Sequence, residues 1–191
     1  MQRKELLRLA AIFGAIVLMA GLLFVTKKET FHGTVISPPL PPKPITLTDH
    51  NGDPFSLEDL RGKVVVIYFG YTNCPEECPL AMAQMKQVLE ILGDKSSEIQ
   101  VLLISTDPAR DDGPSLAKFL AYFDPTFLGL TGTPEQLAKV WVDYGVIVMD
   151  NGETHSDRFY ILDRSGNFAL TFLADMLADD MASDLRLLLK Q

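Results

Sequence analysis

The stretch Val64-Val65-Val66-Ile67-Tyr68-Phe69-Gly70-Tyr71-Thr72-Asn73-Cys74-Pro75-Glu76-Glu77-Cys78-Pro79 decides how the rest of this chain is read. Its first part is a short run of β-branched and aromatic residues closed by Gly70, the pattern of a buried strand. Beyond it Met82, Met85, Val88, Leu89 and Leu92 recur at steps of three and four, so Leu80 to Leu92 is expected to be a helix. Pro75 suits a first helical position, where its missing N–H costs nothing. Cys74 and Cys78, the only cysteines of the chain, therefore fall at a strand-to-helix turn. Unpaired N–H groups and the helix dipole favour thiolates there. A helix running from Pro75 onward would put both sulfurs on one side.

Downstream, Ile99 to Ser105 is a second continuous apolar strand, and Pro114 opens a helix to Phe123. Thr126 to Leu130 is a short strand. Thr133-Pro134-Glu135-Gln136 joins an N-cap, a proline at the first helical position and a capping-box glutamine, which predicts a helix to about Tyr144. Trp141 and Tyr144 then belong to the core. Val146 to Met149 leads to a hairpin tip at Asp150-Asn151-Gly152. Arg158 to Leu162 and Phe168 to Leu173 are strands joined by a turn at Asp163-Arg164-Ser165-Gly166, and Asp179 to Lys190 is a final amphipathic helix. Strands linked through helices must be parallel with right-handed crossovers, while tightly joined strands are antiparallel. The expected fold class is therefore α/β, a mixed sheet with helices on both faces. Reactive groups are expected at the carboxyl end of its first central strand, where the cysteines lie.

Upstream, Ile45 to Thr48 alternates like an edge strand, and Asn51-Gly52 is a turn signal with Pro54-Phe55 starting the return. Lys27 to Pro44 gathers five prolines after a polar start and is expected to be an extended spacer. Leu9 to Val25 is uncharged and apolar over about 17 residues, the lower limit of a membrane span. Arg3, Lys4 and Arg8 precede it, which favours a cytoplasmic N-terminus. Without a convincing cleavage site, an uncleaved anchor is preferred over a signal peptide. The expected organisation is thus 1–26 stub and transmembrane anchor, 27–44 proline-rich linker and 45–191 folded domain. The formal charge is −8. Five of the 17 basic and two of the 25 acidic side chains fall in the first 30 residues, leaving −11 for the rest. Such a domain repels nucleic acid and anionic lipid.

A disulfide between residues so close in sequence removes little chain entropy, so a reactive or metal-binding pair is favoured over a structural staple. Thioredoxin-type enzymes carry C-x-x-C. Here the spacing is C-x-x-x-C, which still permits a disulfide but alters its geometry. Two soft thiolates also form a partial site for Cu(I), Cu(II) or Zn(II). Of the three histidines, His32 in the linker and His50 beside the turn are expected to be solvated. His155 lies in the loop feeding the strand at Arg158, where thioredoxin-like proteins usually carry a cis-proline facing the dithiol. No proline occurs there, and His155 is the candidate third ligand. Met82 and Met85 are assigned to the core. Asp107-Pro108 starts a turn, and Asp111 or Asp112 is expected to cap the helix near Pro114. No P-x-x-x-[ST]-x-x-C pattern leads to Cys74, which argues against a peroxidase.

The stretch Tyr68 to Pro79, then Ile104-Ser105-Thr106-Asp107-Pro108-Ala109-Arg110-Asp111, then Thr154-His155-Ser156 ahead of Phe159-Tyr160-Ile161-Leu162-Asp163, closely resembles the Sco/SenC family. The similarity runs from about Ile45 to the C-terminus. Its members are membrane-anchored, thioredoxin-like copper proteins that assist assembly of the Cu(A) centre of cytochrome c oxidase. The resemblance implies copper, as Cu(I) or Cu(II), held by Cys74, Cys78 and His155, with Asp107 in a D-P-x-R-D loop near the site. It also implies a metallochaperone rather than a turnover enzyme. Its partner would be the copper-bearing oxidase subunit or another copper or thiol protein, met in the periplasm or intermembrane space. Family members often place Asp ahead of the ligand histidine, where this chain has Thr154. The same cysteines would serve a thiol-disulfide reductase that keeps the oxidase's copper-site cysteines reduced, or a redox or copper sensor.

Overall fold

The computed structural model describes residues 12–14, 30–149 and 156–191. The chain divides into two units, Met1–Thr30 and Phe31–Gln191. Of the first, residues 12–14 are helical. No helix among the described residues is long and apolar enough to cross a membrane. The hairpin tip at Asp150-Asn151-Gly152 and His155 lie outside them, as does the expected span apart from residues 12–14.

The second unit is built on one eight-stranded sheet: β1 (Thr34–Leu40), β2 (Thr46–Asp49), β3 (Pro54–Ser56), β4 (Val64–Gly70), β5 (Ile99–Ser105), β6 (Leu128–Thr131), β7 (Arg158–Leu162) and β8 (Phe168–Leu173). Their order across the sheet is β1-β8-β7-β4-β5-β6-β2-β3. β4, β5 and β6 run parallel, while β7 pairs with β4, and β8 with β7, antiparallel. Among the described residues four α-helices, α1 (Glu77–Leu92), α2 (Gly113–Leu120), α3 (Pro134–Asp143) and α4 (Ala178–Leu188), and two short 3-10 helices, Leu57–Leu60 and Gly93–Glu98, complete the unit. This is the expected thioredoxin-like mixed sheet with helices on both faces.

Every residue of β4 is buried because the strand is covered on both faces. Val64, Val66 and Tyr68 point into a core shared with α1, α2 and α4, through residues such as Met82, Met85, Leu116 and Leu185. Val65, Ile67 and Phe69 point the other way, against Leu137 and Val140 of α3 and Leu47 and Phe55 of the β2–β3 hairpin. Met82 and Met85 are fully enclosed, which fits their assignment to the core. The capping box at α3 forms as expected: Gln136 N–H donates to the Thr133 hydroxyl, and Thr133 N–H donates to Gln136 Oε1.

Several expectations are corrected. The stretch expected to be a spacer contains β1, whose Thr34 and Val35 pair with Thr171 and Leu170. The strand holds the sheet's edge, the one place where prolines lacking an N–H are tolerated. β2 is not an edge strand but lies between β3 and β6. His32 is not free in solvent. Its Nδ1–H donates to Asp184 Oδ1 at 2.9 Å, and the His32 and Gly33 backbone N–H groups also donate to that fully buried carboxylate. Nor is His50 a bystander, since its Nδ1 accepts the Gly129 N–H at 2.9 Å. In both cases the partner lies far away in sequence.

Candidate metal centre

The β4 register fixes what surrounds the cysteine turn. Gly70, the last residue of β4, pairs with Ser105 at the end of β5, and Tyr68 pairs with Phe159 near the start of β7. The turn Tyr71–Glu76 therefore emerges between the loop after β5 and the chain entering β7.

Helix α1 starts at Glu77, so Pro75 lies ahead of it rather than at its first position. No side chain caps the helix through an N-cap contact. Instead the Cys78 N–H donates to the Cys74 sulfur at 3.3 Å, giving one otherwise unpaired first-turn N–H a soft acceptor. The two sulfurs thus share one small space, as the spacing implied, though only Cys78 is helical. Neither cysteine is in a disulfide; Cys78 is completely buried and Cys74 nearly so. Burial pushes the Cys78 thiol well above its ordinary value, and Cys74 beside it adds to this, against a hydrogen bond from the Tyr71 backbone. The expectation that the helix start favours thiolate thus fails at Cys78, where desolvation outweighs the dipole.

Gly70 makes room for the thiol. A Cβ there would lie 2.8 Å from the Cys78 sulfur and 2.9 Å from a Tyr68 ring carbon. Tyr68 is enclosed and donates its hydroxyl to Asp157 Oδ1 at 2.9 Å. Burial holds this hydroxyl far above the ordinary tyrosine range, with the Cys78 and Asp157 charges adding to the effect, so it stays a donor. The bond ties the floor of the cysteine site to a residue two positions after His155.

The loop after β5 grips the turn from the other side. The buried Asp111 accepts the Thr72 N–H at 3.1 Å, the Thr72 hydroxyl at 2.6 Å and the Ser105 hydroxyl at 2.7 Å. Burial raises the Asp111 carboxyl's pKa, and these hydrogen bonds work against that rise. Asp112 caps α2, accepting the Ser115 N–H at 2.8 Å. Of the two adjacent aspartates only one can cap; the other is free to brace the cysteine turn, a role that sequence reasoning missed. Asp107 is buried and pairs with Arg110, whose guanidinium lies 5.9 Å from the centre of the Tyr71 ring. Tyr71 in turn accepts the Cys74 N–H at 3.4 Å through its carbonyl.

Cys74 and Cys78 are soft donors brought together, a chemistry that suits copper or zinc. Among the described residues no group of three His, Cys, Asp or Glu side chains forms a metal cage. Among the described residues the pair supplies two donors.

The model of the SCO1/SenC family matches residues 40–190. Similar proteins include the mitochondrial SCO2 protein of Saccharomyces cerevisiae, 40% identical over 135 residues. That match covers 65% of this chain and 45% of the yeast protein, so the chain spans less than half of that relative's length. The SCO2-like protein of Rickettsia conorii is 34% identical over 149 residues, 73% of each chain. Among solved structures, Bradyrhizobium japonicum ScoI with copper bound superposes with a TM-score of 0.68 at 34% identity, covering 76% of this chain and 97% of that one. A family match spanning nearly the whole folded unit, with these relatives beside it, establishes that the chain belongs to the SCO1/SenC family.

Proposed function

We propose that this protein is a copper metallochaperone that binds one copper ion, as Cu(I) or Cu(II), through Cys74, Cys78 and His155. The cargo passes to the copper-bearing subunit of cytochrome c oxidase during assembly of its Cu(A) centre. The observation that carries the reading is the pair of cysteines, not joined in a disulfide, held together at the start of α1 with the Cys78 N–H on the Cys74 sulfur. Membership of the SCO1/SenC family supports it, as does the copper held by the Bradyrhizobium relative. The Tyr68–Asp157 bond supports the third ligand, because it brings the chain that follows His155 to the floor of the thiol site.

The residues divide the work. Cys74 and Cys78 supply soft sulfur donors and must give up their protons as the metal binds. Gly70 leaves the space in which the Cys78 sulfur sits. Asp111 and Thr72 fix the turn, so that ligand exchange with an incoming thiol moves the metal rather than the loop. Oxidation of the pair to a disulfide removes both donors, which makes loading dependent on redox poise. In this proposal residues 1–26 anchor the protein in a membrane, with the folded unit on the periplasmic or intermembrane-space side and no role for nucleic acid.

The test is copper bound per reduced chain in wild type and in His155→Ala. The expected result is weaker retention and an altered absorption spectrum in the variant. Unchanged affinity and spectrum would sink the three-ligand site. A reductase that does not handle metal would also keep its dithiol activity in that variant, which separates the two readings.

A further inference from the structure

A hollow of about 290 Å³ opens beside the cysteine turn, lined by Thr72, Asn73, Ser115, Lys118, Phe119 and Tyr122. One wall is the residue immediately before Cys74, so anything seated there is held next to the more accessible of the two thiols. That wall is preformed, because Thr72 is fixed to the buried Asp111 through both its N–H and its hydroxyl. The opposite wall is aromatic. Phe119 is half-buried, packed edge-on to Phe123 with ring centres 5.2 Å apart, whereas Tyr122 is 73% exposed. Exposed tyrosine beside a pocket is the kind of anchor that dominates protein interfaces.

Among the described residues, Lys118 is the only charged one lining the hollow. It is exposed on the last turn of α2 and makes no ion pair among the described residues. The domain around it is strongly acidic. At contact distance a cation at the mouth of an aromatic hollow complements a carboxylate joined to an apolar side chain, while the domain's longer-range repulsion of such a segment is screened at physiological salt.

We propose that this hollow seats an acidic, apolar-tipped peptide segment of the protein that exchanges copper or thiols with Cys74. The segment's carboxylate meets Lys118 and its apolar side chain lies on Phe119 and Tyr122. The purpose of the hollow rests on the function proposed above; its geometry does not. Docking there orients the partner's thiols toward Cys74, so specificity comes from a surface distinct from the metal ligands.

The experiment uses the full chain and two labelled, cysteine-free synthetic peptides, one with adjacent Asp and Leu and its twin with Lys in place of Asp. Binding is followed by fluorescence anisotropy at about 0.15 M salt, where a Debye length of about 8 Å screens the domain's net negative charge but not a contact with Lys118. Wild type is expected to prefer the acidic peptide roughly two- to fivefold, the range of one exposed ion pair. Lys118→Glu is expected to reverse that preference, and Tyr122→Ala to weaken the acidic peptide about tenfold or more. Both positions are on the surface, and an unchanged circular-dichroism spectrum and melting temperature in the variants check that the fold is intact. Equal binding of the twins by wild type, no binding of either, or an unreversed preference in Lys118→Glu overturns the proposal. Because the peptides hold no thiol and the assay no metal, failure here with copper retained condemns the hollow alone. Success here with no copper retained condemns the function proposed above instead.

Discussion

At the scale of single residues, Asp111 and Gly70 matter more than their places in the sequence suggest. Asp111 is a buried acceptor for three donors. Its replacement by Ala leaves those donors without a partner, at a cost of about 1–3 kcal/mol for each group left unsatisfied. Because the Thr72 groups are only part-buried and can turn to water, Asp111→Ala is expected to lower urea-unfolding stability by about 1–3 kcal/mol, mainly from the buried Ser105 hydroxyl, and to loosen copper retention. Asp111→Asn, which keeps the shape and one acceptor oxygen, loses less. Equal stability of Asp111→Ala and wild type would show that the brace contributes nothing. Gly70→Ala places a methyl 2.8 Å from the Cys78 sulfur. Overpacking of this kind costs about 1–3 kcal/mol, and here it displaces a proposed ligand. Copper affinity is expected to fall with it, and a variant that binds copper as wild type does would show that the sulfur has room to move.

At the scale of elements, the edge strand β1 is the part least legible in the sequence. Its prolines suggest a spacer, and its only local strand signal is the short run of Thr34, Val35 and Ile36. What holds it is nonlocal: pairing with β8 and the contact of His32 with Asp184 on α4. The hydrogen bond to Asp184 raises the His32 pKa above 6.5, with Asp180 nearby adding to the effect. A base with a raised folded-state pKa stabilises fully below its unfolded value and loses that contribution as pH rises through the folded one. The thermal-stability gap between wild type and His32→Ala is thus expected to be widest below pH 6.5 and to narrow as the solution turns alkaline. A gap independent of pH would mean that the imidazole charge plays no part. Elements with strong local signals were legible throughout: the β4 run, the continuous strand Ile99–Ser105 and the capped helix α3. Their patterns depend on neighbours in sequence, whereas β1, His32, His50 and Asp111 owe their places to residues that only the folded chain brings near.

At the scale of the molecule, the sheet order follows from connectivity, and it carries the cysteine turn to a junction of three segments. The loop after β5 braces the turn through Asp111, the chain entering β7 reaches its floor through Asp157, and α1 begins with the Cys78 N–H on the Cys74 sulfur. The location of Cys74 and Cys78 was legible because a strand, a glycine and a helix follow one another there. The enclosure of Cys78, which pushes its thiol upward, was not, since burial depends on the packing of α1 against the sheet. Copper loading by a dithiol that a disulfide switches off is the central claim for the whole protein. It is tested most directly by counting copper retained per full-length chain through a chelator challenge, with the protein freshly reduced and, in parallel, oxidised. The account predicts one copper ion on the reduced chain and none on the oxidised one. A reduced chain stripped bare by the chelator, or an oxidised chain that holds its metal equally well, would contradict it.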